Sequence, residues 1–253
     1  MYAEERQRSI AELVLKRGRM SVADLADEFD VTTETIRRDL SVLERTDVLR
    51  RVHGGAVPTG GVMETVLSER DVENADEKER ISKVAIDLLG PTETSLLIDA
   101  GSTTGRLAGM LPRDRALCVI THAIPVAFRI GAYPNIDLQI LPGRIRPVTQ
   151  AAVGSDTVAA LSRLRADVAF IGANGISVQH GLSTPDPEEA AAKRAMVAAA
   201  RRVIAVADSS KIDRDYTVRF AELGDIDVLV TDARASRRIV TDFTRAGVEV
   251  VIA

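Results

Sequence analysis

The chain has 253 residues, a formal net charge of −4, 45% hydrophobic and 28% charged content and no tryptophan, the make-up expected of an ordinary soluble globular protein of about two domains. No apolar run approaches the roughly 18 residues of a membrane helix, and no signal-peptide core follows Met1 to Arg6, so a cytoplasmic location is expected. A single cysteine, Cys118, excludes an internal disulfide and, with only three histidines, argues against a structural zinc site.

Three helical patterns crowd the first 45 residues. Ile10, Leu13 and Val14 recur at helical spacing, and Gly18 stands where a C-cap glycine would. Ser21 precedes Val22, Leu25, Ala26 and Phe29, with Asp24 placed as in a capping box. After a short break at Asp30 and Val31, Thr32 can cap a third helix that carries Ile36, Leu40 and Leu43 on one face. About three residues separate the second and third helices, which forces a steep crossing, the mark of a helix-turn-helix. Residues 48–57 then read as a β-hairpin turning at Gly54 and Gly55, a wing beside the helices.

Residues 1–57 thus form the first expected domain. Residues 1–56 hold ten Lys/Arg against eleven Asp/Glu, a net charge of −1, so nucleic-acid binding would have to rest on a local basic face. Residues 58–75 contain Gly60-Gly61, few apolar residues and no period, and read as a linker. A helix is expected from about 76 to 89, with Ile81, Val84, Ala85 and Leu88 as its apolar face.

From Thr94 onward seven short apolar runs (96–98, 117–120, 138–141, 168–171, 203–206, 228–230 and 248–252) alternate with helical segments, among them 105–110, 124–131, 155–164 and 187–202. Their near-continuous hydrophobicity fits strands buried on both faces of a largely parallel sheet. Residues 76–253 are therefore expected to form a doubly wound α/β domain.

The polar face of the third helix presents Thr33, Arg37 and Ser41, flanked by Thr35 and Arg38, with Thr32 at its start. Arginine can grip guanine with two hydrogen bonds, and Thr and Ser can reach phosphates. A lone Arg-Arg pair is ordinarily a solvated face; inside a complete helix-turn-helix it reads as a DNA-contacting one. On the hairpin, Arg50, Arg51 and His53 would lie near phosphates or the minor groove, the arginines dominating because a neutral-pH histidine is only partly charged.

In the second domain Asp99 ends a strand and Gly101-Ser102-Thr103-Thr104 opens the next helix. Free N–H groups and three hydroxyls at the carboxyl edge of a parallel sheet suit an anion, although the same residues alone would serve as a capped turn. The loop lacks the Gly-Lys-Ser/Thr of a P-loop, and no Gly-x-Gly-x-x-Gly is present to suggest a dinucleotide. Lys78, Arg144, Lys193 and Lys211 are candidate cationic ligands, and Asp99 and Asp208 could accept sugar hydroxyls. Cys118 reads as core filler, and His122 and His180 have no triad or metal-ligand spacing around them.

Taken together, the segments Val31-Thr32-Thr33-Glu34-Thr35-Ile36-Arg37-Arg38-Asp39-Leu40 and Leu49-Arg50-Arg51-Val52-His53-Gly54-Gly55-Ala56 resemble the signature of the DeoR family of bacterial repressors. The likeness continues through Glu77-Lys78-Glu79-Arg80-Ile81, Ile98-Asp99-Ala100-Gly101-Ser102-Thr103-Thr104, Leu141-Pro142-Gly143, Gly172-Ala173-Asn174-Gly175-Ile176 and Asp208-Ser209-Ser210-Lys211, almost the whole chain. It implies an oligomeric regulator of sugar or polyol catabolism, usually a repressor released by a phosphorylated intermediate, whose second domain is similar to ribose-5-phosphate isomerase. It favours Lys78 and Lys211 as ligands of the effector and adds Gly143. Many members carry a second glycine after Leu-Pro-Gly, where this chain has Arg144. The opening residues and dense Ala/Arg usage look like actinobacterial members associated with fructose utilisation, which implies a hexose phosphate such as fructose 1-phosphate. The rival reading is a sugar-phosphate isomerase or deaminase with an accessory DNA-binding domain, for which no strong general base stands out; a transcriptional activator is a third.

Overall fold

The computed structural model describes residues 3–17, 20–45, 48–52, 54–58 and 66–253, and the chain divides into two compact units, 1–64 and 65–253. The expected C-cap at Gly18 and the wing residue His53 lie outside the described residues.

The first unit runs α1 (Ala3–Arg17), β1 (Met20–Ser21), α2 (Val22–Phe29), α3 (Thr33–Arg45), β2 (Leu49–Val52) and β3 (Gly55–Pro58). Ser21 Oγ accepts from the Asp24 N–H at 3.0 Å and so caps α2. Asp30 ends α2 at φ 50°, a left-handed conformation that aspartate tolerates, and Thr32 Oγ1 accepts from the Thr35 N–H at 3.2 Å to start α3. Ile10, Leu25, Ile36 and Leu49 are fully buried and Leu40 nearly so. Each such side chain contributes about 1.5–3 kcal/mol relative to exposure. The sheet order is β1-β3-β2, all antiparallel, with Arg51 opposite Ala56 and Val52 opposite Gly55. A Cβ on Gly55 would fall 2.2 Å from the Met20 carbonyl oxygen, so only glycine lets β1 close against the hairpin.

The second unit opens with α4 (Leu67–Val72), a short helix inside the stretch whose lack of period reads as linker, followed by α5 (Ala75–Asp87). Its chain continues β4 (Ser95–Ile98), α6 (Ser102–Ala108), β5 (Leu117–Thr121), α7 (Ile124–Ile130), β6 (Ile136–Ile140), β7 (Arg144–Arg146), β8 (Ala151–Val153), α8 (Ser155–Leu161) and β9 (Ala166–Ile171). Then come β10 (Gly175–Ser177), β11 (Gly181–Thr184), α9 (Pro187–Ala199), β12 (Ala200–Val206), a single 3-10 turn at Ser209–Lys211, β13 (Val218–Ala221), β14 (Val228–Thr231), α10 (Arg237–Arg245) and β15 (Glu249–Ile252).

Seven strands make one wholly parallel sheet in the order β15-β14-β12-β9-β4-β5-β6. They correspond one for one to the seven apolar runs. Leu96, Leu97, Ile98, Val168, Ala169, Phe170 and Ile204 are buried because helices cover both faces. Two small antiparallel additions, β7-β8 and β10-β11-β13, sit beside this sheet, and helix α9 ends at Ala199, three residues before residue 202 where the sequence pattern ends, because β12 begins at Ala200. The strand order reverses between β4 and β9: β5 and β6 extend from one side of that pair, β12, β14 and β15 from the other. Such a switch point opens a crevice at the carboxyl ends of the strands.

Candidate functional site

In the first unit α3 and the wing form one polar face. Thr32, Thr33, Arg37 and Arg38 are exposed, while Ile36, Leu40 and Leu43 on the other side are buried. Arg51 on β2 donates from Nη1 to Ser41 Oγ at 2.9 Å, and its N–H donates to Glu44 Oε1 at 2.9 Å, so the wing arginine is held against α3. Glu34 lies 3.5 Å from Arg37 and 4.0 Å from Arg38, with all three side chains more than half exposed. These pairs are weak and can yield to phosphate or base edges. Arg50 pairs with Val57 in the hairpin.

Asp39 belongs to the same helix but faces inward. It is buried, and it accepts from Arg6 Nε at 2.7 Å and Gln7 Nε2 at 2.8 Å, fastening α1 to α3. Nothing in the sequence beyond its place between Arg38 and Leu40, off the exposed face, marks Asp39 for this role.

The second unit places a cleft at its switch point, over the ends of β4, β9 and β12. Its lining includes Lys78, Gly101, Ser102, Thr103, Thr104, Lys193, Asp208 and Lys211, all of which the sequence singles out, and also Arg70, Gly172, Asn174 and Glu189. The loop 101–104 follows β4, Gly172 follows β9, and Asp208 and Lys211 follow β12. Chain segments far apart in sequence thus converge because the parallel sheet brings their strand ends together.

Lys78 is almost wholly buried on α5. Its ammonium donates to the carbonyl oxygens of Arg70 and, at 2.6 Å, Glu73. Burial lowers its pKa from the ordinary lysine value, with the Asp208 carboxylate opposing that effect. The Lys78 side chain therefore holds the α4–α5 turn as well as facing the cleft. Lys211 is half-buried; its N–H donates to the Asp208 carbonyl oxygen at 3.0 Å, and its ammonium has no hydrogen bond or ion pair among the described residues. Asp208 Oδ1 accepts from Asn74 Nδ2 and the Ser210 N–H, each at 3.1 Å, while its buried Oδ2 has no hydrogen-bond partner among the described residues. An unpaired buried acceptor at a cleft wall suits a ligand hydroxyl.

Asp99 lies beneath this surface rather than on it: its exposure is 0%, so it does not meet a ligand directly as the structure stands. Oδ2 takes the Lys193 ammonium and the Gly172 N–H, the latter at 2.9 Å, and Oδ1 is 3.1 Å from His122 Nε2. Lys193 also donates to the Gly172 carbonyl at 3.0 Å. His122, to which the sequence reading gave no chemistry, is a buried strut between Asp99 and the Ala152 carbonyl at 2.8 Å. Gly143 and Arg144 stand apart from the cleft. Arg144 is exposed on β7 and paired with Glu188, and Gly143 packs against Thr157 and Val153 at φ +146°. Their place beside a family motif had suggested proximity that the hairpin fold does not give. Cys118 is partly buried against the core.

Burial alone would raise the Asp99 carboxyl, but the Lys193 charge and the His122 contact outweigh it and hold its pKa at about 2. An unfolded aspartate titrates near 3.9. The contribution of this network to stability is accordingly full above about pH 4 and is lost as the pH falls towards 2. Urea-unfolding midpoints measured from pH 5 to pH 2 are expected to fall across that window, and to fall less in an Asp99→Asn/Lys193→Met double variant. A wild-type profile flat through this range would contradict the assignment.

Comparison with known proteins bears on both units. The family described as DeoR-like helix-turn-helix domain matches residues 6–59, and that described as DeoR C terminal sensor domain matches residues 73–233. The HTH-type transcriptional regulator GlpR of Haloferax volcanii is 35% identical over 252 residues, covering 99% of this chain and 98% of the relative. The glycerol-3-phosphate regulon repressor of Escherichia coli strain K12 is 30% identical over 233 residues, covering 92% of each. Among solved structures, ribose 5-phosphate isomerase A from Methanocaldococcus jannaschii superposes with a TM-score of 0.41 at 18% identity over 55% of each chain, a likeness too slight to carry an argument about function. Among the described residues no helix is long and apolar enough to cross a membrane.

Proposed function

The chain belongs to the DeoR family of transcriptional regulators, and on that premise we propose that it represses a sugar- or polyol-catabolic operon and releases its operator when a phosphorylated sugar fills the cleft. The observation that carries this reading is the convergence of Lys78, Lys211, Asp208 and the 101–104 loop on one crevice at the switch point. Two lysines and the Ser102 and Thr103 hydroxyls suit a phosphate, the buried Thr104 hydroxyl holding the loop through the Gly101 carbonyl at 3.2 Å, and the unpaired Asp208 oxygen suits a sugar hydroxyl. The name of the Escherichia coli relative, which refers to a phosphorylated polyol, agrees with that chemistry.

The division of labour follows. Residues 1–57 bind operator DNA, 58–75 connect, and 76–253 sense the effector and assemble the oligomer, with Arg70 of the connecting stretch lending a side chain to the cleft. A cytoplasmic homo-oligomer places two recognition helices in successive major grooves. A hexose phosphate such as fructose 1-phosphate is the proposed effector. By linkage, operator and effector weaken each other by the same factor. Titrating operator release with sugar phosphates and with their unphosphorylated parents tests the scheme, and equal potency of the unphosphorylated sugar would remove the phosphate from the mechanism.

On the DNA side Arg37 and Arg38, with Thr32, Thr33, Thr35 and Ser41 around them, read the operator, while Arg50, Arg51 and His53 add affinity. Arg37→Ala is expected to lose about 1–3 kcal/mol of preference for the operator over unrelated DNA. Arg51→Ala should weaken all sequences alike and flatten the salt dependence. Unchanged operator binding by the Arg37→Ala/Arg38→Ala double variant in a gel-shift titration would sink the assignment.

A further inference from the structure

The two sides of the cleft carry opposite charge. On one side are Lys78 of α5, Arg70 of α4, whose carbonyl takes the Lys78 ammonium, and Lys211 of the turn after β12, three cations against the single Asp208 carboxylate. The other side is the first turns of α9, and there the surplus is negative. Lys193 is neutralised by Asp99. Glu189, one turn earlier, lines the cleft while only 2% exposed. Its Oε1 takes the Thr149 hydroxyl and the Arg146 guanidinium, the latter at 3.1 Å. That same guanidinium also pairs with Asp186 at 3.1 Å, so one positive charge serves two carboxylates.

We propose that Glu189 sets the specificity of this cleft: it admits a monophosphate whose other groups are neutral hydroxyls and excludes compounds that bear a second anion. The inference rests on the reading of the cleft as the effector site. A phosphate drawn to Lys78 and Lys211 directs the remainder of the molecule towards α9. A hydroxyl there can donate to the Glu189 carboxylate, whereas a second phosphate or a carboxylate meets like charge in a place too buried for water and salt to screen it. The fixed Arg146–Thr149 support keeps the Glu189 carboxylate from swinging aside.

Glu189→Gln is the direct test, because the amide keeps an acceptor for Thr149 and Arg146 and removes only the charge. Calorimetric titrations of the full-length protein would use two matched pairs: fructose 1-phosphate with fructose 1,6-bisphosphate, and glycerol 3-phosphate with 3-phosphoglycerate. In each pair that binds, the wild type is expected to favour the compound without a second anionic group by about tenfold or more, equivalent to about 1.4 kcal/mol. Glu189→Gln should lose most of that preference and Glu189→Asp, which keeps the charge, should retain it. Thermal midpoints verify that each variant is folded. Equal wild-type affinity within a pair, or an undiminished preference in folded Glu189→Gln, overturns the role of Glu189 while leaving the phosphate site standing. Failure of every phosphorylated compound to bind the wild type overturns both.

Discussion

Lys211→Ala should leave operator affinity near wild type and blunt the response to the effector, giving a repressor that lets go only at much higher effector concentrations. Among the described residues the Lys211 ammonium has no hydrogen bond or ion pair, and its backbone bond to the Asp208 carbonyl survives truncation of the side chain, so the substitution unties no side-chain contact in the fold. A hydrogen bond between an ammonium and a phosphate contributes about 1.5–3 kcal/mol, and losing it should shift the release midpoint upward by roughly tenfold to a hundredfold. Lys78 is a less clean target, because its ammonium also holds the Arg70 and Glu73 carbonyls and alanine there would loosen the α4–α5 turn. Fluorescence-anisotropy release curves with fructose 1-phosphate provide the measurement. A midpoint unmoved in Lys211→Ala would take this lysine out of the site.

The largest effect on stability is expected from Lys193→Ala. Asp99 is completely buried and its carboxylate is held ionised by the Lys193 ammonium, so truncating the lysine strands a charge in the interior. Breaking a buried pair by deleting one partner costs about 3–5 kcal/mol, whereas replacing both with apolar or neutral groups of similar size costs much less. The Asp99→Asn/Lys193→Met double variant should therefore be more stable than Lys193→Ala. Chemical denaturation of the three proteins decides the matter; a Lys193→Ala variant within about 1 kcal/mol of wild type would mean that the pair is not the strut it looks to be.

Much of the fold was legible because its signals are local. Seven apolar runs gave the seven parallel strands, and Ser21 and Thr32 marked the starts of two helices. Three-residue strands such as β7, β8 and β10 are too short to show alternation, and α4 is a six-residue helix in a stretch with little apolar pattern. The cleft was legible in part. Lys78, the 101–104 loop, Asp208 and Lys211 sit in recognisable motifs, but the Asp99–Lys193 pair joins residues 94 apart and leaves no mark in either neighbourhood. Glu189 faces the cleft only because Thr149 and Arg146, some 40 residues upstream, come back to meet it. Arg144 shows the opposite error, since adjacency to Leu141-Pro142-Gly143 in sequence did not bring its side chain into the cleft.

The strand order of the large sheet has a consequence for biosynthesis. Central strand β4 lies between β5, about 20 residues further along the chain, and β9, more than 70 residues further along. At a translation rate of about 5–20 residues per second, β9 leaves the ribosome seconds after β4 does, and until then one edge of β4 has no partner. The described elements of the first unit, by contrast, all lie within residues 3–58 and can pair as soon as that stretch is made. Each newly made molecule thus passes through an interval with a finished helix-turn-helix and no cleft at the switch point. Because non-local parallel pairing is slow as well as late, this is the stage at which β4, an apolar strand with an open edge, is most exposed to pairing with another nascent chain.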